Sequence, residues 1–157
     1  MVSDLRSKLK SLINGKVAVL GIGNTLKNDD GIGALIARSL NGRVNAKVID
    51  CGETPENYTG VIRKEGPDTV LLIDAVDFKG EAGDIRLIEN SKINNLGLTT
   101  HNMPLTLFIG LIENEIKAKV VILGVQPKST AFGENISSEL LSSKMKIENI
   151  LIDILRG

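Results

Sequence analysis

Residues 68–74, Asp68-Thr-Val-Leu-Leu-Ile-Asp74, form the clearest strand signal in this chain of 157 residues. Four aliphatic residues follow one another without polar alternation, which is typical of a strand buried on both faces. The stretches Lys16-Val-Ala-Val-Leu-Gly21 and Ala118-Lys-Val-Val-Ile-Leu-Gly-Val125 predict two more buried strands, and residues 46–50 predict another. Residues 83–89 alternate instead and therefore predict an edge strand.

Segments with helical spacing of apolar residues separate these strands. Helices are predicted for the first fourteen residues, for residues 32–40, for residues 55–63 with Thr54 as N-cap, from Pro104 to Ile116, and around residues 147–155. The alternation of strand and helix predicts an α/β fold in three layers. We expect a mostly parallel, twisted sheet of about five strands, with helices on both faces and one antiparallel edge strand. The length fits a single domain over residues 1–157, in which residues 1–15 form a helical extension.

The composition excludes several classes of function. Lys plus Arg and Asp plus Glu both total 19, and the chain has only 3 Phe, 1 Tyr and no Trp, so neither charge nor stacking favours nucleic acid. The single cysteine, Cys51, excludes an internal disulfide and a Cys-rich zinc module. No apolar run reaches the ~18 residues of a membrane span, and the first 15 residues are too charged for a signal peptide. We therefore expect a cytoplasmic monomer that binds neither nucleic acid nor membrane.

Polar residues collect in the loops that follow the predicted strands. Asp30 comes after the first strand, Asp74 ends the central strand, and His101, the only histidine, precedes the helix that begins at Pro104. In parallel sheets such loops meet at one edge, where ligands bind. Two carboxylates and an imidazole are a ligand set that suits zinc or nickel. The residues alone leave an ordinary alternative open, in which His101 is a surface or capping residue, Asp29 and Asp30 cap a helix, and Asp74 closes a turn.

The glycine-rich loop does not fit a nucleotide site. Gly21 and Gly23 match the start of a dinucleotide fingerprint, but the third glycine position holds Leu26. Asp29 and Asp30 would repel a phosphate from the helix N-terminus that follows. The P-loop pattern is also absent.

Several stretches resemble the endopeptidases that mature nickel–iron hydrogenases, and the resemblance runs from Val17 to about Ile154. The stretches are Gly21-Ile-Gly23-Asn24-Thr-Leu-Lys-Asn-Asp29-Asp30-Gly31-Ile-Gly33, Val48-Ile-Asp50-Cys-Gly-Glu-Thr-Pro55-Glu-Asn57, Leu71-Leu-Ile-Asp74-Ala-Val-Asp77, Gly83-Asp-Ile-Arg86, Thr99-Thr-His101-Asn-Met-Pro-Leu105 and Leu123-Gly-Val-Gln126-Pro127. The fifth and sixth are most similar to the branch that processes the large subunit of formate-hydrogenlyase-type hydrogenase.

This resemblance implies a peptidase whose protease domain spans residues 16–157. Its substrate would be the hydrogenase large-subunit precursor, cleaved once near the C-terminus after nickel insertion. The family's metal ligands fall on Asp30, Asp74 and His101, and a further functionally important residue of the family falls on Asp50. We expect these four residues to carry catalysis, with nickel supplied by the precursor, and we expect zinc or cadmium to be able to occupy the same site.

The sequence departs from the family at two places. Cys51 stands where relatives often have glycine, and a helix precedes the first strand, which leaves a role for that helix in oligomerisation or partner contact open. No nucleophile-elbow motif is present, and we expect Cys51 to be buried as a small apolar group, so a serine or cysteine protease is disfavoured. The alternative function is a non-catalytic nickel-binding or chaperone-like module for hydrogenase assembly, since it would use the same three ligands.

Overall fold

The computed structural model describes residues 2–89 and 102–156. The described strands are β1 Val17–Ile22, β2 Lys47–Gly52, β3 Thr69–Ala75, β4 Ile85–Ile88 and β5 Lys119–Val125. The described helices are α1 Val2–Leu12, α2 Ile32–Leu40, α3 Thr59–Glu65, α4 Leu105–Leu111 and α5 Ser138–Ile154. Among these helices, none combines the length and the hydropathy needed to cross a bilayer.

The five strands form one sheet in the order β2-β1-β3-β5-β4. β1, β2, β3 and β5 pair in parallel, while β4 pairs antiparallel with β5 at the edge. The predicted α/β sheet with one antiparallel edge strand is therefore confirmed. β2 pairs with one edge of β1, and β3, the next strand along the chain, pairs with the other edge of β1. The switch point of the topology, where ligands bind in such sheets, consequently lies between the carboxyl ends of β1 and β3.

Alternating residues of the buried strands point into two separate hydrophobic layers. Val17 and Val19 of β1 pack with the layer that contains α1, α2 and α5, whereas Ala18 and Leu20 pack with the layer that contains α3 and α4. Both faces of the sheet are thus covered, which explains why β1 carries no polar residue. The prediction of a three-layer arrangement holds.

Helix α1 is part of the core. Leu9 is fully buried in the same cluster as Ile147 and Leu151 of α5. The guanidinium of Arg6 also donates hydrogen bonds to the carboxylate of Asp153. The helix predicted before the first strand is confirmed, and its apolar residues pack against α5.

The short helix predicted after β2 is confirmed in position, with Thr54 at the N-cap position and Pro55 at the first position, but it differs in form. The segment after β2 begins with a 3₁₀ turn, Pro55–Tyr58, which leads into α3, and the side chain of Thr54 makes no capping hydrogen bond. The backbone N–H of Thr54 instead donates to the carbonyl of Cys51, so the turn is closed through the main chain. Pro55 is buried at the first position of the 3₁₀ turn and fixes the backbone there.

Candidate active site

Close packing of glycine brings the first loop onto the end of β3. Gly33 is the second residue of α2, and a methyl group at this position would overlap the carbonyl oxygens of Ile22 in β1 and Ile73 in β3. Only glycine lets the start of α2 approach both strand ends this closely. The loop that carries Asp30 therefore lies across the switch point of the sheet, and the 3₁₀ turn Asn28–Gly31 contacts β3.

Asp30 and Asp74 meet at this point. One oxygen of Asp30 accepts a hydrogen bond from the backbone N–H of Asn24 at 3.0 Å. Asp74 is partly buried at the end of β3, and its Oδ1 accepts from the N–H of Ala75 at 2.8 Å. Burial raises the pKa of Asp74 well above its usual range, and the charge of Asp30 raises it further. The hydrogen bond from Ala75 opposes this shift, and the charge of Glu53 raises the pKa by a smaller amount. Acidic residues at or just after the ends of three strands therefore influence the carboxyl group of Asp74.

The third predicted ligand, His101, lies outside the described residues. Within residues 2–89 and 102–156, no three acidic, cysteine or histidine side chains are grouped as a metal site. The structure therefore brings together two members of the predicted set, Asp30 and Asp74, and the role of His101 stays a prediction. The chain is described again from Asn102, whose backbone N–H donates to Oε2 of Glu56 at 3.2 Å.

Asp50 lies at the same edge of the sheet but in a different environment. Its Oδ2 accepts from Nε of Arg38 at 2.6 Å, and its Oδ1 accepts from the N–H of Gly52 at 3.1 Å. Strand β1 lies between β2 and β3, so the backbones at Asp50 and Asp74 are separated by roughly 10 Å. Asp50 is thus held by an ion pair with α2, beside the acidic pair rather than within it.

A cleft of about 410 Å³ opens next to Asp30. The segment after β5 forms one wall, and the cleft is lined by Asp30, Ala75, Asp77, Gln126, Pro127, Lys128, Ser129 and Thr130. The buried side chain of Gln126 holds the opposite wall, because its Oε1 accepts from the N–H groups of Phe78 at 2.9 Å and Gly80 at 3.0 Å. Its amide nitrogen donates to Asp77 at 3.2 Å. Gln126 thus has a positional role that sequence reasoning did not assign.

Asp29 has a role that sequence reasoning also missed. Its carboxylate is buried and accepts hydrogen bonds from the N–H of Lys128 at 2.8 Å, the N–H of Ser137 at 2.7 Å and the hydroxyl of Ser137 at 2.8 Å. Asp29 therefore ties the cleft wall and the N-cap of α5 to the loop that carries Asp30. No local pattern signals this role, since the partners lie about a hundred residues further along the chain.

Cys51 is buried as predicted, inside the layer that contains α3 and α4. Burial raises the pKa of its thiol to about 12, and the charges of Asp50 and Glu56 contribute to the rise. A thiol in this environment stays protonated and cannot act as a nucleophile at neutral pH. The expectation that Cys51 is structural is confirmed.

Comparison with known proteins shows the family of the chain. The family model described as hydrogenase maturation protease matches residues 32–154. The chain belongs to the hydrogenase maturation protease family. A Methanocaldococcus jannaschii protein that carries the family's name is 32% identical over 165 residues, covering 99% of this chain and 96% of that protein. The hydrogenase 3 maturation protease of Escherichia coli K12 is 38% identical over 117 residues, covering 73% of this chain and 74% of that protein.

A solved structure extends the likeness to the fold. The crystal structure of the [NiFe] hydrogenase maturation protease HycI from Thermococcus kodakarensis KOD1 superposes with a TM-score of 0.87 at 30% identity, covering 96% of this chain and 99% of that chain. The protein is a peptidase of this family.

Proposed function

We propose that this protein is the endopeptidase that removes the C-terminal extension of a nickel–iron hydrogenase large-subunit precursor after nickel has been inserted, acting as a cytoplasmic monomer. The observation that carries the proposal is the meeting of Asp30 and Asp74 at the switch point of the sheet, beside an open cleft. A peptidase that acts on the nickel-loaded precursor has to recognise both the polypeptide and its metal, and we propose that this edge of the sheet serves both purposes.

The charge of the acidic pair supports recognition of a metal ion. In the described part of the chain, neither Asp30 nor Asp74 forms an ion pair, and each repels the other. A divalent cation would relieve this repulsion, and carboxylates with an imidazole suit nickel. The nickel that the precursor already holds would thus be bound by Asp30, Asp74 and His101. Zinc or cadmium would be able to occupy the same site. Bound nickel would supply Lewis acidity for polarising the scissile carbonyl or activating a water.

Two exposed apolar residues close in sequence to the cleft residues Asp30 and Thr130 favour a polypeptide as the second part of the substrate. Phe132 is 84% exposed and Leu26 is 57% exposed, although both are large and apolar. Their loops are joined by backbone hydrogen bonds between Gly133 and both Leu26 and Asn28, so the fold holds the two loops together. Asp50, fixed by Arg38 beside the acidic pair, would position the peptide or accept a proton during cleavage.

Mass spectrometry of purified precursor tests the proposal directly. Incubation of nickel-loaded precursor with this protein alone should release a single C-terminal fragment, whereas nickel-free precursor should stay intact. Asp30→Asn, Asp74→Asn and His101→Ala should each abolish release. Asp68→Asn is the matched control, because Asp68 precedes the opposite end of β3 and its carboxylate accepts a structural hydrogen bond from the backbone N–H of Lys16.

Two outcomes would overturn the assignment in different ways. If the nickel-loaded precursor binds but no fragment appears, the protein is a non-catalytic nickel-binding module of hydrogenase assembly. If His101→Ala cleaves at the normal rate, the imidazole is not a ligand and the three-ligand site is wrong.

A further inference from the structure

The edge strand carries a residue that the proposed chemistry does not use. β4 begins within the stretch Gly83-Asp-Ile-Arg86, none of whose residues has a part in the proposed site. Arg86 pairs directly with Gly124 of β5, and Gly124 pairs in turn with Asp74 of β3. The three residues therefore form one row across three neighbouring strands, with Asp74 at one end and Arg86 at the other.

Arg86 and Asp74 lie on the same face of the sheet. Leu72, two residues before Asp74, and Ile88, two residues after Arg86, both pack in the layer that contains α3 and α4. Because side chains alternate along a strand, Asp74 and Arg86 are on that face as well, with their backbones separated by roughly 10 Å. The charge of Arg86 is not among those that shift the pKa of Asp74, so it does not neutralise the acidic pair.

The guanidinium of Arg86 is held by an aromatic ring. Its central carbon lies 4.3 Å from the centroid of the Phe78 ring, which is within the range of a cation–π contact. Phe78 follows Asp77 of the cleft wall, and its N–H donates to the buried side chain of Gln126 at 2.9 Å. A methyl group at Gly80 would overlap the same ring. The loop after β3 therefore fixes Phe78, and the ring of Phe78 restrains the guanidinium.

The contact with the ring leaves the hydrogen-bonding edge of Arg86 available. Within residues 2–89 and 102–156, the exposed side chain of Arg86 forms no ion pair. The acids of the adjoining loop have other partners: Asp84 accepts from the N–H of Glu81 at 2.9 Å. Asp77 forms an ion pair with Lys79. An aromatic contact occupies only the flat face of a guanidinium, so its N–H donors can still bind a carboxylate from outside the chain.

We propose that Arg86 is a specificity-determining residue that binds a carboxylate of the precursor polypeptide. The proposal rests on the proposed function, in which the nickel of the precursor is bound at Asp30 and Asp74. The acidic pair repels a carboxylate, whereas a restrained guanidinium on the same face attracts one and fixes the register of the bound chain. An extended chain rises about 3.3 Å per residue, so a separation of roughly 10 Å places that carboxylate about two to four residues from the nickel-binding residue of the precursor.

Steady-state cleavage of nickel-loaded precursor by the full-length protein should be compared for the wild type, Arg86→Gln and Arg86→Lys. Arg86→Gln should raise KM by about fivefold or more and change kcat by less than about twofold, because the guanidinium binds the precursor away from the reacting atoms. Lysine keeps the charge but lacks the planar fork, so the rise in KM should be intermediate.

Arg63→Gln is the matched control. Arg63 is also exposed and forms no ion pair within the described ranges, but it lies near the end of α3, which leads into the start of β3 at the opposite edge of the sheet. Its replacement should leave KM unchanged.

Replacement of the precursor's own acids identifies the partner. Each Asp or Glu within about four residues of the nickel ligands should be changed to its amide, and KM measured with the wild type and with Arg86→Gln. One replacement should raise KM with the wild type as much as Arg86→Gln does, and should have no further effect with Arg86→Gln. Calorimetric titration of the protein with the same precursors gives this comparison as Kd, independently of cleavage.

An unchanged KM and Kd in folded Arg86→Gln, or an equal rise in Arg63→Gln, would overturn the proposal. Independent effects of Arg86→Gln and every precursor replacement would also overturn it, because Arg86 would then have no carboxylate partner. Should Arg86→Gln fail to fold, Arg86→Lys decides in the same way. Failure of the wild type to cleave a precursor that it binds counts against the proposed function, whereas the Kd values still count for or against Arg86.

Discussion

Asp30 and Asp74 lie close enough for the charge of one to raise the pKa of the other, although they follow different strands. The close contact of Gly33 with the ends of β1 and β3 makes this possible. Two acids that repel each other in a partly buried place destabilise the metal-free fold. Perturbed carboxyl groups of this kind are concentrated at functional sites, where the strain serves binding.

Asp74→Asn should stabilise the metal-free protein at pH 8. The folded-state pKa of Asp74 is raised, so the stability associated with its protonated form is present below its unfolded pKa and is lost as pH rises through the folded value. Asparagine removes this loss, and we expect a gain on the order of 1 kcal/mol in the free energy of unfolding. Urea denaturation at pH 8 and pH 3.5 measures the gain, which should shrink at the lower pH. Equal stability of the variant and the wild type at pH 8 would contradict an unfavourable charge on Asp74 in the folded protein.

Asp29→Ala should lower the free energy of unfolding by about 2–4 kcal/mol, because it leaves the N–H groups of Lys128 and Ser137 and one hydroxyl without their acceptor in a buried place. Asp77→Ala is the control, since Asp77 also accepts hydrogen bonds but is exposed, and its effect should stay below about 1 kcal/mol. Denaturant titration of both variants separates the two cases. Similar losses of stability in the two variants would mean that Asp29 does not hold the segments at Lys128 and Ser137 to its own loop.

The secondary structure and the two-sided burial of the sheet could be predicted because their signals are local. The run of aliphatic residues in β3 and the alternation in β4 are properties of a few neighbouring residues, and the family motifs point to the same strand ends. Strand boundaries differ by a residue or two, as where β1 extends to Ile22, whereas the last helix begins at Ser138, nine residues before the predicted apolar stripe. Thr54 occupies the predicted N-cap position, but its side chain makes no capping hydrogen bond and the helix begins as a 3₁₀ turn.

The roles that escaped prediction depend on partners that are distant in sequence. Asp29 and Asp30 are identical neighbours, yet one binds the cleft wall and the other faces Asp74. Gln126 holds a loop nearly fifty residues before it. Nothing in the residue types separates these roles, since only the fold decides which carboxylate points inward. For His101 the sequence remains the sole guide.

Cys51 should be inert toward thiol reagents in the folded protein. Its pKa of about 12 leaves almost no thiolate at pH 8, and the side chain is buried. We expect the thiol to react with a disulfide reagent at least about a hundredfold more slowly in the native protein than in urea. Cys51→Ala should retain cleavage of nickel-loaded precursor within about twofold while losing roughly 1 kcal/mol of stability. A folded Cys51→Ala variant without activity would instead support the hypothesis of a cysteine protease.

Gly33→Ala should damage both stability and activity, whereas Gly60→Ala should damage neither. The added methyl at Gly33 overlaps backbone oxygens of β1 and β3, which cannot move aside as a flexible side chain would. Overpacking of this kind costs about 1–3 kcal/mol, and the shift of α2 would carry the Asp30 loop away from Asp74. Gly60 lies in α3 with open space around it, so alanine there should add about 0.4–1 kcal/mol. Thermal denaturation and precursor cleavage should be measured for both variants. A fully active Gly33→Ala variant would show that the close approach of α2 to the strand ends does not determine the relative positions of Asp30 and Asp74.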